Sequence, residues 1–356
     1  MQNPFTTTYS KIPDYTYIPT EQTREIIENF SYDRPSESVY KITGVRGSGK
    51  TVLLAKIEEE FQSEYRKKEG WLVYRLSPTR DMLRQLASAI CKENIIKEKY
   101  KEKSFNISAN VMGTGIGVGM AHTGQDELFD VGIELEEMII ELAKCGKKIM
   151  IGVDEVSKTQ HMIEFASESG KWTRAGYPVY LVCTGLYDNI EQLYNVNNLT
   201  FFRRAATVKT DPLNLIRISD IYKNKLGVDK ENAREMAKLT NGYPYAYQEL
   251  GLLYFKKNRN DTLEDIKESL KAELYAYAYE KIWEEMSAED RALVRLLTEK
   301  REYSREEILE KMEKPGNYSV YRDRLDKRGI ISSRRGYISL ALPFFNEYIK
   351  DYCMEG

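Results

Sequence analysis

The sequence predicts an α/β chain: a parallel sheet flanked by helices, then an all-helical segment, then a small C-terminal domain of helices and a hairpin. Three observations predict it. Between about residues 38 and 208, short apolar runs alternate with amphipathic helical stretches, the pattern of a parallel sheet with helices on both faces. After Asp211-Pro212 the apolar spacing becomes purely helical. From Ser287 onward, short helices opened by capping-box patterns lead into two apolar runs around Arg334-Arg335-Gly336. At 356 residues the chain has room for two or three domains. The expected boundaries are an N-terminal arm (1–36), a core (37–211) with an insert (104–122), a helical segment (212–286) and the tail (287–356).

Taken in order, Ser38 to Val45 reads as a buried strand and Thr51 to Phe61 as a helix with apolar Val52, Leu53, Leu54, Ile57 and Phe61. Trp71 to Leu76 is a second strand, ended by Ser77-Pro78. Met82, Leu83, Leu86, Ala87 and Ile90 then recur at helical spacing. Phe105 to Met120 alternates apolar and small residues around Gly113 and Gly115, the period of an inserted β-hairpin or of a flexible loop. A helix from about Asp126 to Ala143 precedes the apolar strand Lys147 to Asp154, which ends in two acids, Asp154 and Glu155. Pro178 to Thr184 and Ala205 to Val208 read as further strands. In the helical segment, Asn241-Gly242 stops one helix and Pro244 suits the first turn of the next. A longer helix, about Thr262 to Met286, carries Tyr275, Tyr277, Tyr279 and Trp283, a stripe that reads as packing.

Composition excludes several classes. A net charge of −2 gives no global attraction to nucleic acid, so any basic surface is local. Cys91, Cys145, Cys183 and Cys353 are widely spaced, which points away from a zinc site or disulfide framework and toward a reducing cytoplasm. His122 and His161 are too few for a His-rich metal site. No apolar run approaches the roughly 20 residues that span a bilayer, and the N-terminus lacks a signal-peptide core.

The chemistry concentrates in Gly44-Val45-Arg46-Gly47-Ser48-Gly49-Lys50-Thr51, which fits the phosphate-binding pattern G-x-x-x-x-G-K-[ST] between a strand and a helix. Gly44, Gly47 and Gly49 let main-chain N–H groups turn inward around a phosphate, and the helix that follows, with Ser48 and Val52 at its mouth, adds partial positive charge. Lys50 is expected to reach the β- and γ-phosphates of ATP and Thr51 to ligate Mg²⁺. Arg46, at an unconstrained position, is expected to be solvated. Asp154 would hold Mg²⁺ through water, and Glu155 would orient and deprotonate the attacking water. Thr184, where the neighbouring strand ends, would sense the γ-phosphate or position the water, although threonine is also ordinary in strands. Arg203 and Arg204 are either an arginine finger for a neighbouring subunit or a pair of surface charges.

Three helices followed by a hairpin are the order of a winged helix-turn-helix. Residues 314–335 hold Lys314, Arg322, Arg324, Lys327, Arg328, Arg334 and Arg335 against Asp323 and Asp326, a local basic excess. Asn317, Tyr318, Ser319 and Arg322 are the candidates to face a groove of double-stranded DNA, with Lys327, Arg334 and Arg335 toward phosphates or the minor groove. The alternative is a winged helix that packs on a protein.

Together, the 44–51 loop, the Asp154-Glu155 strand, a polar residue ending the next strand, a helical lid and a C-terminal winged helix resemble AAA+/STAND-type ATPases, nearest to archaeal-type ATPases and origin-recognition initiator ATPases. The resemblance spans nearly the whole chain in element order and is specific at the Walker A and Walker B motifs. It implies a P-loop NTPase (ASCE) sheet of strand order 5-1-4-3-2. It also implies an adenine pocket between the segment before the first strand and the lid, which puts Ile18 and Pro19 forward. The chain departs from the initiators at Asn241-Gly-Tyr-Pro-Tyr245, where no lid arginine stands. Gly242-x-Pro244 is more like STAND switch ATPases, whose proline lies by the nucleotide, so Pro244 is a nucleotide-binding candidate. The implied activity is Mg²⁺-dependent ATP hydrolysis coupled to DNA binding and self-association, with a STAND signalling or defence ATPase as the alternative. A small-molecule kinase is disfavoured by the lid and tail.

Overall fold

The computed structural model describes residues 3–8, 11–99, 130–196 and 199–354. The insert expected at 104–122 lies outside the described residues. The chain divides into two compact units. One comprises Met1–Arg24, Thr43–Ala55 and Val208–Gly356, the other Glu25–Ile42 and Lys56–Thr207.

In chain order the first elements are α1 (Glu21–Ser31), β1 (Val39–Thr43), α2 (Lys50–Phe61), α3 (Glu64–Lys68), β2 (Trp71–Leu76), α4 (Met82–Ile90) and α5 (Asn94–Lys99). Then come α6 (Val131–Lys144), β3 (Lys148–Val153), α7 (Gln160–Ala175), β4 (Val179–Gly185), α8 (Tyr187–Tyr194), α9 (Thr200–Arg204) and β5 (Ala206–Lys209). These five strands form one sheet in the order β2-β3-β4-β1-β5, the order that the family resemblance implies. Lys148 to Val153 pairs in parallel with β2 and, from Ile149, with β4. Every residue of β4 is buried, as parallel strands covered on both faces require. Leu86, Leu135, Ile139, Ile151, Phe165 and Leu181 pack together around these strands. Thr159 caps α7 by accepting from the Met162 amide, and Gly176 ends it in the left-handed conformation.

The first unit carries the helical segment and the tail. Its helices are α10 (Leu215–Leu226), α11 (Lys230–Leu239), α12 (Pro244–Lys256) and α13 (Leu263–Leu274), followed by a π-helical turn at Tyr275–Tyr279 and α14 (Glu280–Glu284). The single helix expected over about 262–286 thus runs without interruption from Leu263 to Glu284, widened at Tyr275–Tyr279. Tyr275 and Tyr279 meet Tyr348 and Phe345, at centroid distances of 5.2 and 5.0 Å, while Tyr277 stacks on Tyr245 at 4.0 Å. A widened turn lets alternate tyrosines of one short run serve two partners, the use to which π-bulges are put.

The tail is α15 (Ala288–Leu296), β6 (Tyr303–Ser304), α16 (Arg305–Lys311), α17 (Tyr318–Arg328), β7 (Ile331–Arg334), β8 (Tyr337–Leu340) and α18 (Phe345–Tyr352). The three strands form an antiparallel sheet in the order β6-β8-β7. Ser304 and Glu307 make the reciprocal capping box that their spacing predicts. At the other such site, Ser287 accepts from the Asp290 amide, but the Asp290 carboxylate is committed to Arg324 at 2.7 Å and Arg328 at 3.5 Å. The three helices and the β7–β8 hairpin follow the expected order, while β6, which pairs with β8, was not expected.

Candidate functional site

The 44–51 loop joins β1 to α2. Gly47 and Gly49 adopt φ of +75° and +84°, a conformation that L side chains rarely take. Lys50 Nζ donates to the carbonyls of Gly44 and Val45 at 3.0 and 2.9 Å, so its ammonium is folded back over the loop. Ser48 and Thr210 share a buried hydroxyl contact at 2.9 Å. A Cβ on Gly44 would fall 2.0 Å from Thr210 Oγ1, so glycine is required there by close approach.

The helical segment meets this loop directly. The Tyr245 amide donates to the Gly47 carbonyl at 3.2 Å, and the Tyr243 hydroxyl donates to the Arg46 carbonyl. A Cβ on Gly49 would lie 3.6 Å from the Pro244 ring. Pro244 thus stands at the first turn of α12 against the loop. Burial drives the Tyr243 hydroxyl well above its ordinary pKa, so it remains a neutral donor. Arg46 is not a solvated side chain. Its guanidinium pairs with Glu285 at 3.5 Å and is only partly exposed, because the end of the helical segment lies beside it. Sequence reading missed Tyr243 and Tyr245, which no spacing rule distinguishes from core aromatics.

Ile18 is buried and Pro19 exposed. Ile18 shares the apolar cluster of Val45 and α12 residues Ala246, Tyr247 and Leu250. Just before it, Thr16 accepts from Tyr247 Oη at 3.0 Å and its hydroxyl meets Gln248. The segment preceding β1 is thereby tied to the helical segment.

In the second unit, β3 ends at Asp154 and Glu155. The Thr184 hydroxyl, 0% exposed at the end of β4, donates to Asp154 Oδ1. The Glu155 amide donates to Thr184 Oγ1 at 3.3 Å and to Asp154 Oδ1 at 3.1 Å, and the Val156 amide donates to the Thr184 carbonyl at 2.8 Å. Glu155 itself has φ +54°, a strained conformation for a side chain of its size. Thr184 is therefore the bracket that holds both acids. Nearby, Arg75 of β2 grips Glu58 of α2 with two hydrogen bonds at 2.6 and 3.0 Å, opposite Gly152 in the register. Burial raises the Glu58 carboxyl above its usual range; Arg75 opposes the shift and the Asp154 charge adds to it. This pair also escaped the sequence, since its residues are 17 positions apart with no motif.

Arg203 and Arg204 end α9 with exposed side chains. In the tail, the expectations for the basic face divide. Tyr318 is 2% exposed and packs in the core, so it cannot face a groove. Arg322 pairs with Asp323 at 2.5 Å, and Arg324 and Arg328 are drawn to Asp290, which is 1% exposed. Asn317, Ser319 and Lys327 are exposed, as are Arg334 and Arg335. Arg335 (φ +51°) and Gly336 (φ +86°) form the two-residue turn of the β7–β8 hairpin.

A family model described as a domain of unknown function (DUF8462) matches residues 276–349. No curated protein matches the chain. Among solved structures, the chain is similar to the Walker-type ATPase PABY2304 of Pyrococcus abyssi, with TM-score 0.61, 14% identity, and 93% of this chain and 95% of that one covered. It is also similar to the ORC2 protein of Aeropyrum pernix in its ADPNP–ADP complexes, with TM-score 0.54, 11% identity, and 95% and 96% covered. These likenesses define the class of fold: the P-loop ATPase fold of Walker-type and origin-recognition proteins. Within that class the chain keeps the five-strand order and carries the 44–51 loop at the end of β1. No helix among the described residues is long and apolar enough to cross a membrane.

Proposed function

We propose that this chain is an ATP-binding and ATP-hydrolysing switch of the cytoplasm that couples its nucleotide state to double-stranded DNA binding and to assembly through its tail. The observation that carries the reading is the docking of α12 on the 44–51 loop, through the Tyr243 hydroxyl on the Arg46 carbonyl and the Tyr245 amide on the Gly47 carbonyl. A phosphate cradled by that loop draws on the N–H groups of Gly47 and Ser48, the opposite sides of the two peptide units whose carbonyls the tyrosines hold, and so biases their orientation. ATP and ADP therefore differ in how they hold the helical segment, which is the differential interaction a switch needs. The complexes of Aeropyrum pernix ORC2 with ADPNP and ADP support nucleotide as the ligand.

In this reading Gly44, Gly47, Ser48, Gly49, Lys50, Thr51 and Val52 cradle the phosphates, and Ile18, Pro19 and Pro244 border the base and sugar. Mg²⁺ in such sites takes one or two protein oxygens beside the phosphates, and the Thr51 hydroxyl and Asp154 carboxylate are hard donors of that kind. Glu155 takes the proton of the attacking water, with Thr184 holding it in place. Arg203 and Arg204 offer a guanidinium to the γ-phosphate of a neighbouring copy. The proposed domains are 1–36, 37–211, 212–286 and 287–356. DNA is met by the wing tip, Arg334 and Arg335, with Asn317, Ser319 and Lys327 on the adjoining helix.

A second reading, a STAND-type signalling or defence ATPase whose tail faces a protein, is favoured by one observation. Three of the arginines counted as a basic excess are paired with Asp290 or Asp323. Fluorescence anisotropy on duplex DNA separates the readings, with ATP, with ADP and without nucleotide, for wild type and Glu155→Gln. Tightest binding by the variant with ATP is expected. Absence of DNA binding in every state at low salt rejects the first reading in favour of the second.

A further inference from the structure

Lys41 is an unusual residue for its place. It stands in the middle of β1, three residues before the phosphate-binding loop, and is 0% exposed. Buried lysines are rare because the ammonium loses its hydration. Here the ammonium donates to the Phe202 carbonyl at 2.6 Å and to the Arg203 carbonyl at 3.3 Å. It also lies over the rings of Tyr194 and Phe202, at 4.5 and 5.2 Å. Its partners are thus the last carbonyls of α9 and two ring faces on α8 and α9. A cation at a helix C-terminus satisfies carbonyls that have no intrahelical partner and opposes the negative end of the dipole.

We propose that Lys41 is a positioning residue that pins the C-terminal end of α9 to the central strand β1 and so fixes the direction in which Arg203 and Arg204 project toward the nucleotide of a neighbouring copy. The inference rests on the arginine-finger reading given above. A helix of five residues has little stiffness of its own, and its two arginines are its last residues. Without the buried ammonium, the Phe202 and Arg203 carbonyls lose their partner and α9 is free to fray. A strand residue and an arginine 162 positions away are then one device.

Burial pulls the Lys41 pKa down from its ordinary value to about 8, with Cys183 of β4 and Glu37 before β1 acting in the opposite direction. Cys183 is itself driven upward by burial and stays a neutral thiol. Tyr194 of α8 faces the amine from the other side. The sign follows from linkage. The folded state sheds this proton at about pH 8 and the unfolded chain only near the ordinary lysine value of 10.5, so in that window the unfolded state binds more protons. The cost of burying the charge is present below pH 8 and is relieved as pH rises through the window. Stability attributable to Lys41 therefore increases with pH, while the charged cap that holds α9 is lost. A residue that served packing alone would not make the two move in opposite directions.

The test uses the full chain in four variants: Lys41→Met, Lys41→Arg, Arg203→Ala and Arg204→Ala. ATPase activity per subunit is followed against protein concentration, nucleotide affinity by a fluorescent ATP analogue, and amide hydrogen exchange at 200–205. Lys41→Met is expected to lose the concentration-dependent part of the activity about tenfold, to keep its nucleotide affinity within twofold, and to exchange faster at 200–205 but not in α7. Lys41→Arg, which cannot lose its charge, is expected to restore activity and to hold it from pH 7.5 to 9.5, where wild type declines. Unchanged exchange at 200–205 in Lys41→Met overturns the proposal, as does a Lys41→Arg profile that declines in parallel with wild type. If Lys41→Met does not fold, the pH profiles of wild type and Lys41→Arg decide alone. If neither Arg203→Ala nor Arg204→Ala alters the concentration dependence, the finger reading has failed and the proposal falls with it. If one of them does and Lys41→Met does not, only the role of Lys41 is rejected.

Discussion

The Arg46 guanidinium pairs with the Glu285 carboxylate at 3.5 Å, while the Arg46 carbonyl accepts from Tyr243. One residue of the phosphate-binding loop is thus bonded twice, by its side chain to the end of the helical segment and by its main chain to Tyr243 just before α12. Both side chains of the pair are about one-third exposed, so its direct contribution to stability is about 0.2–1 kcal/mol. Its value lies in reporting loop position. Arg46→Ala and Glu285→Ala should each lower the melting temperature only slightly and each reduce the difference between ATP and ADP in DNA affinity. A double-mutant cycle on that difference should give a coupling larger than the cycle on stability; equal couplings would make the pair merely structural.

Removing the Tyr243 hydroxyl is the sharper change. Tyr243→Phe keeps the buried ring and leaves the Arg46 carbonyl without its donor, at a cost of about 1 kcal/mol. Nucleotide affinity should change several-fold and the ATP/ADP distinction should shrink, as measured by titration calorimetry. Gly47→Ala should be more severe, because its Cβ would fall 2.2 Å from the Tyr243 hydroxyl at a φ that disfavours alanine. A Gly47→Ala protein with wild-type nucleotide binding would show that α12 does not dock here in solution.

Much of this was legible in the sequence, and the division has physical reasons. The strands of the sheet followed from apolar runs, and their order from the family resemblance that the 44–51 motif, whose glycines and lysine have few other uses, helped to carry. What was not legible depends on partners distant in sequence. Arg46 lies at a position the motif leaves open, and Glu285 is 239 residues away. Lys41 reads as a polar residue in a strand until α9 is placed over it. Tyr275 to Tyr279 has helical spacing on both sides, and only the opposed demands of Tyr245 and α18 widen the turn. The tail's basic excess was counted correctly as composition but misread as surface, because a buried Asp290 gathers two of its arginines.

Thr184 should separate catalysis from binding. Thr184→Val keeps the shape of a fully buried strand residue and removes the hydroxyl that joins Asp154 and the Glu155 amide. Hydrolysis is expected to fall tenfold to a hundredfold with nucleotide affinity nearly unchanged, the pattern of an interaction that matters in the transition state. Glu155→Gln should fall further, by about a hundredfold or more. If Thr184→Val loses affinity instead of turnover, the hydroxyl serves ground-state binding.

Asp290 gives a prediction about fold rather than function. Its carboxylate is buried and held by Arg324 and Arg328. Arg324→Ala leaves that charge with only the longer Arg328 contact and should cost a few kcal/mol, since breaking a buried pair from one side strands the other charge. Chemical denaturation measures this, and DNA affinity per folded molecule should not change.

The wing tip allows the opposite separation. Arg335 occupies a left-handed position in a two-residue turn where asparagine or glycine is favoured, at a cost of about 1 kcal/mol. The proposed function gives that side chain a use, a contact with a DNA phosphate. Arg335→Asn should therefore stabilise the hairpin while weakening DNA binding and making it less steep in salt by about one phosphate contact. Anisotropy at several salt concentrations, paired with thermal melts, reads both effects. Higher stability together with unchanged DNA affinity would remove Arg335 from the interface and shift the case toward a protein partner for the tail.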